Sequence, residues 1–257
     1  MKNLNSEEKE MNIAVIFAGG IGTRMHSREL PKQFLLMHGK PIIAHTIDVF
    51  QQSDEIDAIV IACVADWIDH LKSILEQYNY TKVKKVVPGG DTGQASIYNG
   101  LKAAKLIAGD EKCIVLIHDG VRPLINNINI HDNISSVIQY GSGITCVKAK
   151  ETVLEVNCSG EIINIPDRND SRLARAPQSF WLNDILTCHE NAIKEKKYNF
   201  IDSCSMMKYY GKTLHLVEGP DINIKVTTPE DFYVMRAMLD EKENGQIYGI
   251  NGENYGN

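Results

Sequence analysis

No run of apolar residues in this chain approaches the roughly twenty needed for a membrane-spanning helix, so such a span is excluded. The start lacks the charged, apolar and small-residue regions of a signal peptide, and the expected compartment is the cytoplasm. The cysteines (63, 113, 146, 158, 188 and 204) include no C-x-x-C pair. Several sit in apolar runs, which points to buried reduced thiols and away from zinc or disulfides. Positive charge is also short, with 27 Lys and Arg against 33 Asp and Glu and a net charge of −6. That balance excludes a broad electrostatic grip on nucleic acid. An anionic substrate must therefore meet locally concentrated Lys and Arg.

The remaining composition, 43% hydrophobic and 23% charged over 257 residues, suits one globular domain with a sizeable core. That domain is expected over 11–240, with an arm at about 150–170. The polar ends, 1–10 and 241–257, are expected to be disordered tails.

Residues 13–33, IAVIFAGGIGTRMHSRELPKQ, organise the rest. The β-branched run Ile13 to Phe17 reads as the first, doubly buried strand of a parallel sheet. Gly19, Gly20 and Gly22 follow. Such a loop lets backbone N–H groups converge on an anion. Arg24 and Lys32 add two cations, and Pro31 stiffens the approach to Lys32. The glycines alone are as compatible with a tight turn as with phosphate binding. Two better-known motifs are missing. Met25 stands where a dinucleotide fingerprint begun at Gly20 needs glycine, and no acid closes a second strand at the right distance. The spacing of a P-loop is absent too.

Downstream, apolar strands alternate with amphipathic helices as far as Ile117. Strands are expected at 58–64, 84–87 and 113–117, with helices opened by Pro41, over 66–78 and over 94–107. The alternation predicts βαβ units and a parallel sheet. The first, third and fourth strands end in AGGIGTR, PGGD and HDGVRP. In open parallel sheets ligands lie beyond the carboxyl ends of the strands, so three polar loops meet at one edge. A fifth strand is expected at 143–149. Then 152–156 and 161–165 flank the turn Asn157-Cys-Ser-Gly160, a β-hairpin. A lone hairpin is marginal in water and must pack on its own domain or on a second subunit. Helices at 183–194 and from Asp202 to about 210, strands at 213–217 and 221–226, and a helix begun by Thr228-Pro229 complete the pattern.

The arrangement A-G-G-x-G-x-R-M followed by P-K-Q resembles the signature of cytidylyltransferases that make CDP-alcohols. It is most similar to the 2-C-methyl-D-erythritol 4-phosphate and D-ribitol 5-phosphate cytidylyltransferases. The resemblance covers nearly all of 12–240. It implies a Rossmann-like α/β fold of the nucleotide-diphospho-sugar transferase type, a mostly parallel sheet flanked by helices with a protruding β-hairpin arm. It implies Mg²⁺ as cofactor and CTP and a polyol phosphate as substrates. The arm would exchange between the subunits of a homodimer, and no nucleic acid or membrane is involved.

Residue by residue, it implies that Ala18, Gly19, Gly20 and Gly22 meet the nucleotide, with Arg24 and Lys32 on the triphosphate. Gly90, Asp91 and Ser96 match the base and ribose pocket. Asp119 and Gly120 follow the fourth strand, and Asp119 suits a metal on the phosphates or a ribose hydroxyl. Arg122 suits an acceptor phosphate, because its planar fork binds oxyanions in pairs. Thr152 and Arg168 on the arm would reach the same phosphate across the dimer, and Lys225 matches a lysine near the reacting phosphates. His118 has no nucleophile near it in sequence and is expected to be structural.

Three departures bear on function. Gly93 replaces the families' usual Arg. Ile222 stands where the methylerythritol enzymes carry Asp. Ala176 and Ile201-Asp202-Ser203 replace their T-P-Q and T-D-E. The ribitol enzymes share the missing Asp, Pro31-Lys-Gln-Phe-Leu35, Trp67-Ile-x-His70 and an Asp-x-Cys matching Asp202 to Cys204. The expected acceptor is therefore a pentitol phosphate, with D-ribitol 5-phosphate first and a CDP-alditol for surface glycopolymers as product. The methylerythritol enzymes of isoprenoid synthesis are the alternative. A non-catalytic nucleotide-binding protein, favoured by Gly93, and a nicotinamide oxidoreductase, disfavoured by the missing fingerprint, are the more distant ones.

Overall fold

The first strand, β1 (Met11–Ala18), is an interior strand of a seven-stranded sheet. The computed structural model describes residues 10–19 and 30–248, and side chains as far as 241. Along the chain follow a two-residue hairpin, β2 (Leu36–Met37) and β3 (Lys40–Pro41), and then α1 (Ile42–Gln52), β4 (Ala58–Cys63), α2 (Ile68–Gln77) and β5 (Val83–Pro88). Next come α3 (Gly93–Ala108), β6 (Cys113–Asp119), α4 (Asn127–Tyr140) and β7 (Ser142–Lys148). The arm is β8 (Glu155–Val156) with β9 (Ile162–Asn164). β10 (Arg172–Trp181), α5 (Leu182–Lys194), α6 (Ser203–Tyr209), β11 (Leu216–Glu218) and α7 (Pro229–Tyr248) complete the described chain.

The sheet order is β11-β7-β10-β6-β1-β4-β5. All neighbours are parallel except β10, which runs antiparallel to both β6 and β7. Alternation along the strands splits the core in two. Ile13 and Val15 of β1, Val60 of β4 and Val115 of β6 pack with Ile97 and Leu101 of α3 and Ile185 of α5. Ala14, Ile16, Ile59, Ile61 and Leu116 face the other way, onto Ile47 and Phe50 of α1, Leu71 of α2 and Ile130 of α4. A third cluster of Met37, Ile42, Val121, Val226 and Met235 seats α7 beside the loop after β6. Each fully buried aliphatic side chain contributes about 1.5–3 kcal/mol.

Several elements differ from the sequence expectation. α4 was not expected, although Asn126 caps it by accepting from Asn129 N at 2.8 Å and Gly141 ends it with φ 85°. β10 contains Pro177, which argues against a central strand. The proline is accommodated because the register against β7 shifts between Ala174 and Gln178. The expected strand over 221–226 does not form. Its backbone is held by side chains instead: Asn223 O accepts from both Arg122 Nη1 and Arg175 Nη1, while Asn223 Nδ2 donates to Ala176 O. The strand expected at 213–217 falls at Leu216–Glu218, and α7 runs past 240 to Tyr248.

Gly100 shows how closely α3 sits on the sheet. A Cβ there would lie 2.6 Å from Val15 Cγ1 in β1. Helix propensity alone makes Gly100→Ala stabilising by about 1 kcal/mol, whereas overpacking costs about 1–3 kcal/mol. Because Val15 is fully buried and has no room to retreat, urea unfolding should show Gly100→Ala less stable than the wild type. A more stable variant would contradict this seating of α3 on β1.

Candidate active site

The carboxyl ends of β1, β5 and β6 bring their loops together, as the alternation predicts. Gly19 and Gly89 approach so closely that a Cβ on either would meet Ser96 Oγ, at 2.7 Å and 3.1 Å. Ser96 is buried in α3. Its hydroxyl accepts from Gly90 N at 3.0 Å and donates to Thr92 O at 2.9 Å. It thus ties the loop to the helix, and it holds Gly90 in place with atoms already committed to protein partners. Thr92, and not Asp91, caps α3 by accepting from Ala95 N. Asp91 is exposed at this N-terminus. Ala18 ends β1, and its carbonyl accepts from Gln33 Nε2 at 2.9 Å. Gln33 of the P-K-Q motif therefore fixes the end of the first strand, a role its sequence position gave no reason to expect. Lys32 is buried beside it in a single 3-10 turn, Lys32–Phe34. Gly20, Gly22 and Arg24 lie outside the described residues.

Asp119 closes β6 and is buried. Its carboxylate receives Arg122 Nε at 2.8 Å on Oδ2 and Lys225 Nζ at 2.5 Å on Oδ1. Burial by itself raises this carboxyl. The charges of Lys225 and Arg122, with their hydrogen bonds, outweigh burial and hold it below the usual carboxylate range. Asp119 is thus an anion across the neutral range. Gly120 follows, with its N–H on Phe17 O and its carbonyl accepting from Thr46 Oγ1. A Cβ at Gly120 would press on Ala18 Cβ at 3.3 Å. The β1 and β6 loops are therefore locked side by side.

A cavity of about 320 Å³ opens between this ion cluster, the start of α3, β10 and the start of α6. Asp119, Arg122 and Lys225 line it together with Gln178, Asp202 and Met206. Arg175 and Ala176 lie on its β10 wall, and Gly93 faces it from α3. Nothing lies within 4 Å of a Cβ built at Gly93, so the space for the families' arginine is open. Gln178 donates to Asp202 Oδ2 at 2.9 Å and accepts from Cys204 N at 2.8 Å. Asp202 forms a capping box with Ser205. The cap was legible in sequence; Arg175 and Gln178 carried no signal, because only the turn of β10 brings them here. Thr152 does not reach this cavity. It lines a smaller hollow at the base of the arm with Arg175 and Asp221. Arg168 is exposed, with Nη1 on Lys150 O at 3.3 Å.

A glycine-lined edge of a mostly parallel sheet, a buried carboxylate between two cations and a cavity beside them form an arrangement suited to binding phosphorylated ligands. Comparison with known proteins agrees. The sequence model of the 2-C-methyl-D-erythritol 4-phosphate cytidylyltransferase family matches residues 12–241, and the chain belongs to that family.

The ribitol-5-phosphate cytidylyltransferase of Streptococcus agalactiae serotype Ia is 55% identical over 240 residues, covering 93% of this chain and all of the relative. The 2-C-methyl-D-erythritol 4-phosphate cytidylyltransferase of Clostridium botulinum (strain 657) is 39% identical over 231 residues, 90% of this chain and 98% of the relative. Among solved structures, the 4-diphosphocytidyl-2C-methyl-D-erythritol synthase of Anaerococcus prevotii superposes with a TM-score of 0.78 at 27% identity. The match covers 90% of this chain and 97% of that one.

His118 and His189 flank the site and are buried. His118 Nε2 donates to Arg122 O at 2.9 Å, and the ring packs edge-on against Phe50. His189 stacks on Tyr98. Burial pushes both down to about 4, so both are neutral at pH 7, and His118 is structural as expected. The unfolded chain binds these protons near pH 6.5 and the folded one only near pH 4. Stability from both is therefore complete above pH 6.5 and falls as pH drops toward 4. Each should lose about 2 kcal/mol between pH 7 and pH 5. Urea titrations of the wild type and His189→Phe at both pH values check this; the variant should lose about 2 kcal/mol less.

Proposed function

We propose that this chain transfers the cytidylyl group of CTP to D-ribitol 5-phosphate, giving CDP-ribitol and pyrophosphate. The observation that carries the choice of acceptor is the 55% identity, over 93% of the chain, to a relative named for ribitol 5-phosphate, against 39% to one named for 2-C-methyl-D-erythritol 4-phosphate. The cavity wall supports it. Ala176 is apolar and buried, and Ile201 is almost fully exposed beside it. Neither position offers the hydroxyl that the T-P-Q and T-D-E motifs would. Each missing hydrogen bond costs about 1 kcal/mol.

A phosphate oxygen of the acceptor attacks the α-phosphorus of CTP. The bond from that phosphorus to the bridging oxygen of the β-phosphate breaks, and its electron pair leaves with pyrophosphate. No covalent intermediate with the protein is needed, so the protein's task is positioning and charge neutralisation. In this reading Lys225 steadies the α-phosphate. Lys32 and Arg24 take the leaving phosphates, and Arg122 takes the acceptor phosphate. Ala18, Gly19, Gly20, Gly22, Gly90 and Asp91 shape the nucleotide site, and Gly120 and Ser96 hold that shape. Asp119 holds Lys225 and Arg122 in register.

Among the described residues no group of three or more His, Cys, Asp and Glu could hold a metal ion. A single carboxylate fits Mg²⁺ that arrives on triphosphate oxygens, the habit of this ion, and Asp119 would be its protein ligand. Mg²⁺ so held would supply charge neutralisation on the triphosphate.

The deciding measurement is kcat/KM for the two acceptors with CTP, followed by pyrophosphate release. D-ribitol 5-phosphate should be preferred by at least about tenfold, the effect of one to two lost hydrogen bonds. A preference for 2-C-methyl-D-erythritol 4-phosphate would overturn the acceptor and keep the reaction.

The arm leads us to infer a homodimer. Val156, Ile162, Ile163 and Ile165 all stand exposed on a hairpin whose two strands, among the described residues, pair only with each other. So much apolar surface on a marginal hairpin calls for a partner. A second copy would also bring Thr152 and Arg168 to a cavity they do not reach in their own subunit. Light scattering at micromolar concentration should give twice the chain mass, and Ile163→Asp should yield a monomer with reduced turnover. A fully active wild-type monomer would contradict the assembly.

A further inference from the structure

β10 pairs with β7 through Arg172–Ala174 and again from Gln178, with a register shift between. Bulges re-aim side chains, often beside active sites. Here the shift places Arg175 on the wall shared by the main cavity and the hollow at the base of the arm. Arg175 Nη1 donates to Asn223 O at 2.7 Å, the same oxygen that receives Arg122 Nη1 at 2.9 Å. Asn223 is fully buried, so this carbonyl is a fixed point that draws two guanidinium groups together.

The charges around that point do not balance. Asp119 is shared by Arg122 and Lys225. Arg175 forms no ion pair with any described carboxylate; Asp221, whose charge reaches it, is itself paired with Lys150 at 2.9 Å. Asp202, the other carboxylate of the cavity, is occupied with Gln178 and the cap of α6. Among the described residues, three cations, Arg122, Arg175 and Lys225, thus face the one carboxylate of Asp119 in a half-buried site. Two like charges beside one oxygen repel, and burial adds to the cost. A dianion offsets both. Arginine carries five N–H donors, and Arg175 spends one on Asn223 O.

We propose that Arg175 is an acceptor-binding residue that grips the phosphate of the polyol phosphate jointly with Arg122, from within the same subunit. Two guanidinium forks on one phosphate fix its rotation as well as its position. That selects the oxygen presented to the α-phosphorus. The proposal rests on the acceptor being a phosphate ester, as in the function above, and not on which polyol it carries.

The test uses the full-length protein with Arg175→Gln, which keeps a donor for Asn223 O and removes the charge, and Arg175→Lys, which keeps the charge and loses the fork. Arg175→Gln should raise KM for the acceptor roughly 10- to 100-fold, the effect of one charge-assisted hydrogen bond or slightly more. KM for CTP should stay within about twofold. Inhibition by inorganic phosphate, competitive with the acceptor, should weaken by the same factor, and Arg175→Lys should recover part of both. An equal rise in both KM values, or a fall in kcat with acceptor KM unchanged, would assign Arg175 to supporting the Asn223 loop and overturn the proposal. If the wild type prefers 2-C-methyl-D-erythritol 4-phosphate, the proposed acceptor fails and the same comparison is made with that substrate. If it turns over neither, calorimetric binding of inorganic phosphate decides: equal affinity in wild type and Arg175→Gln would overturn the proposal.

Discussion

The Asp119 carboxylate, buried at the end of β6 between Lys225 and Arg122, is the constraint on which the site depends. An ionised carboxylate in that position is tolerated only because two cations hold it. Removing one partner from a buried pair of this kind costs about 3–5 kcal/mol. The two cations come from distant parts of the chain: Arg122 follows β6 directly, and Lys225 arrives after β11. The pair therefore fastens the 221–226 segment to the central sheet. The fastening is reinforced where Asn223 O takes Arg122 and Arg175, and where Val226 N reaches Val121 O. A segment that might have been an edge strand becomes a side-chain-anchored wall of the cavity.

Around this anchor the fold brings backbone close to backbone. Gly19, Gly89 and Ser96 meet where the β1 and β5 loops touch, and a side chain on either glycine would push the loops apart. Gln33 pins the carbonyl of Ala18 from the other side. The result is an edge with little side-chain bulk, which a nucleotide can approach closely. Mixed strand direction completes it. Because β10 runs antiparallel between β6 and β7, its bulged residues 175–177 reach the same edge as the ends of the parallel strands.

Much of this was legible along the chain. The apolar β-branched runs at 13–17, 58–64 and 113–117 read as buried strands, and strands form at Met11–Ala18, Ala58–Cys63 and Cys113–Asp119. Their polar glycine-bearing ends had to meet at one edge. The Asp202 cap, the Thr228-Pro229 helix start and the hairpin turn at Asn157–Gly160 were equally readable, because each is a local exchange of hydrogen bonds within a few residues. The family signature placed Asp119, Arg122 and Lys225 in one site, and they are joined in one ion cluster.

The local order of residues, their periodicity, turns, caps and glycine positions, determined the α/β architecture and the edge where the polar loops meet. Only the tertiary structure decided that β10 enters the sheet antiparallel despite Pro177, that Ser96 is spent holding Gly90, and that 221–226 is tethered by arginines instead of a strand ladder. It also decided that Arg175 and Gln178 line the cavity while Thr152 and Arg168 stay outside it. The physical reason is range. Periodicity and capping are fixed by neighbours a few residues apart. A strand's direction, a shared carbonyl or the partner of a buried charge is set by groups fifty or a hundred residues away, such as Arg122 and Asn223, and these meet only when the chain has folded.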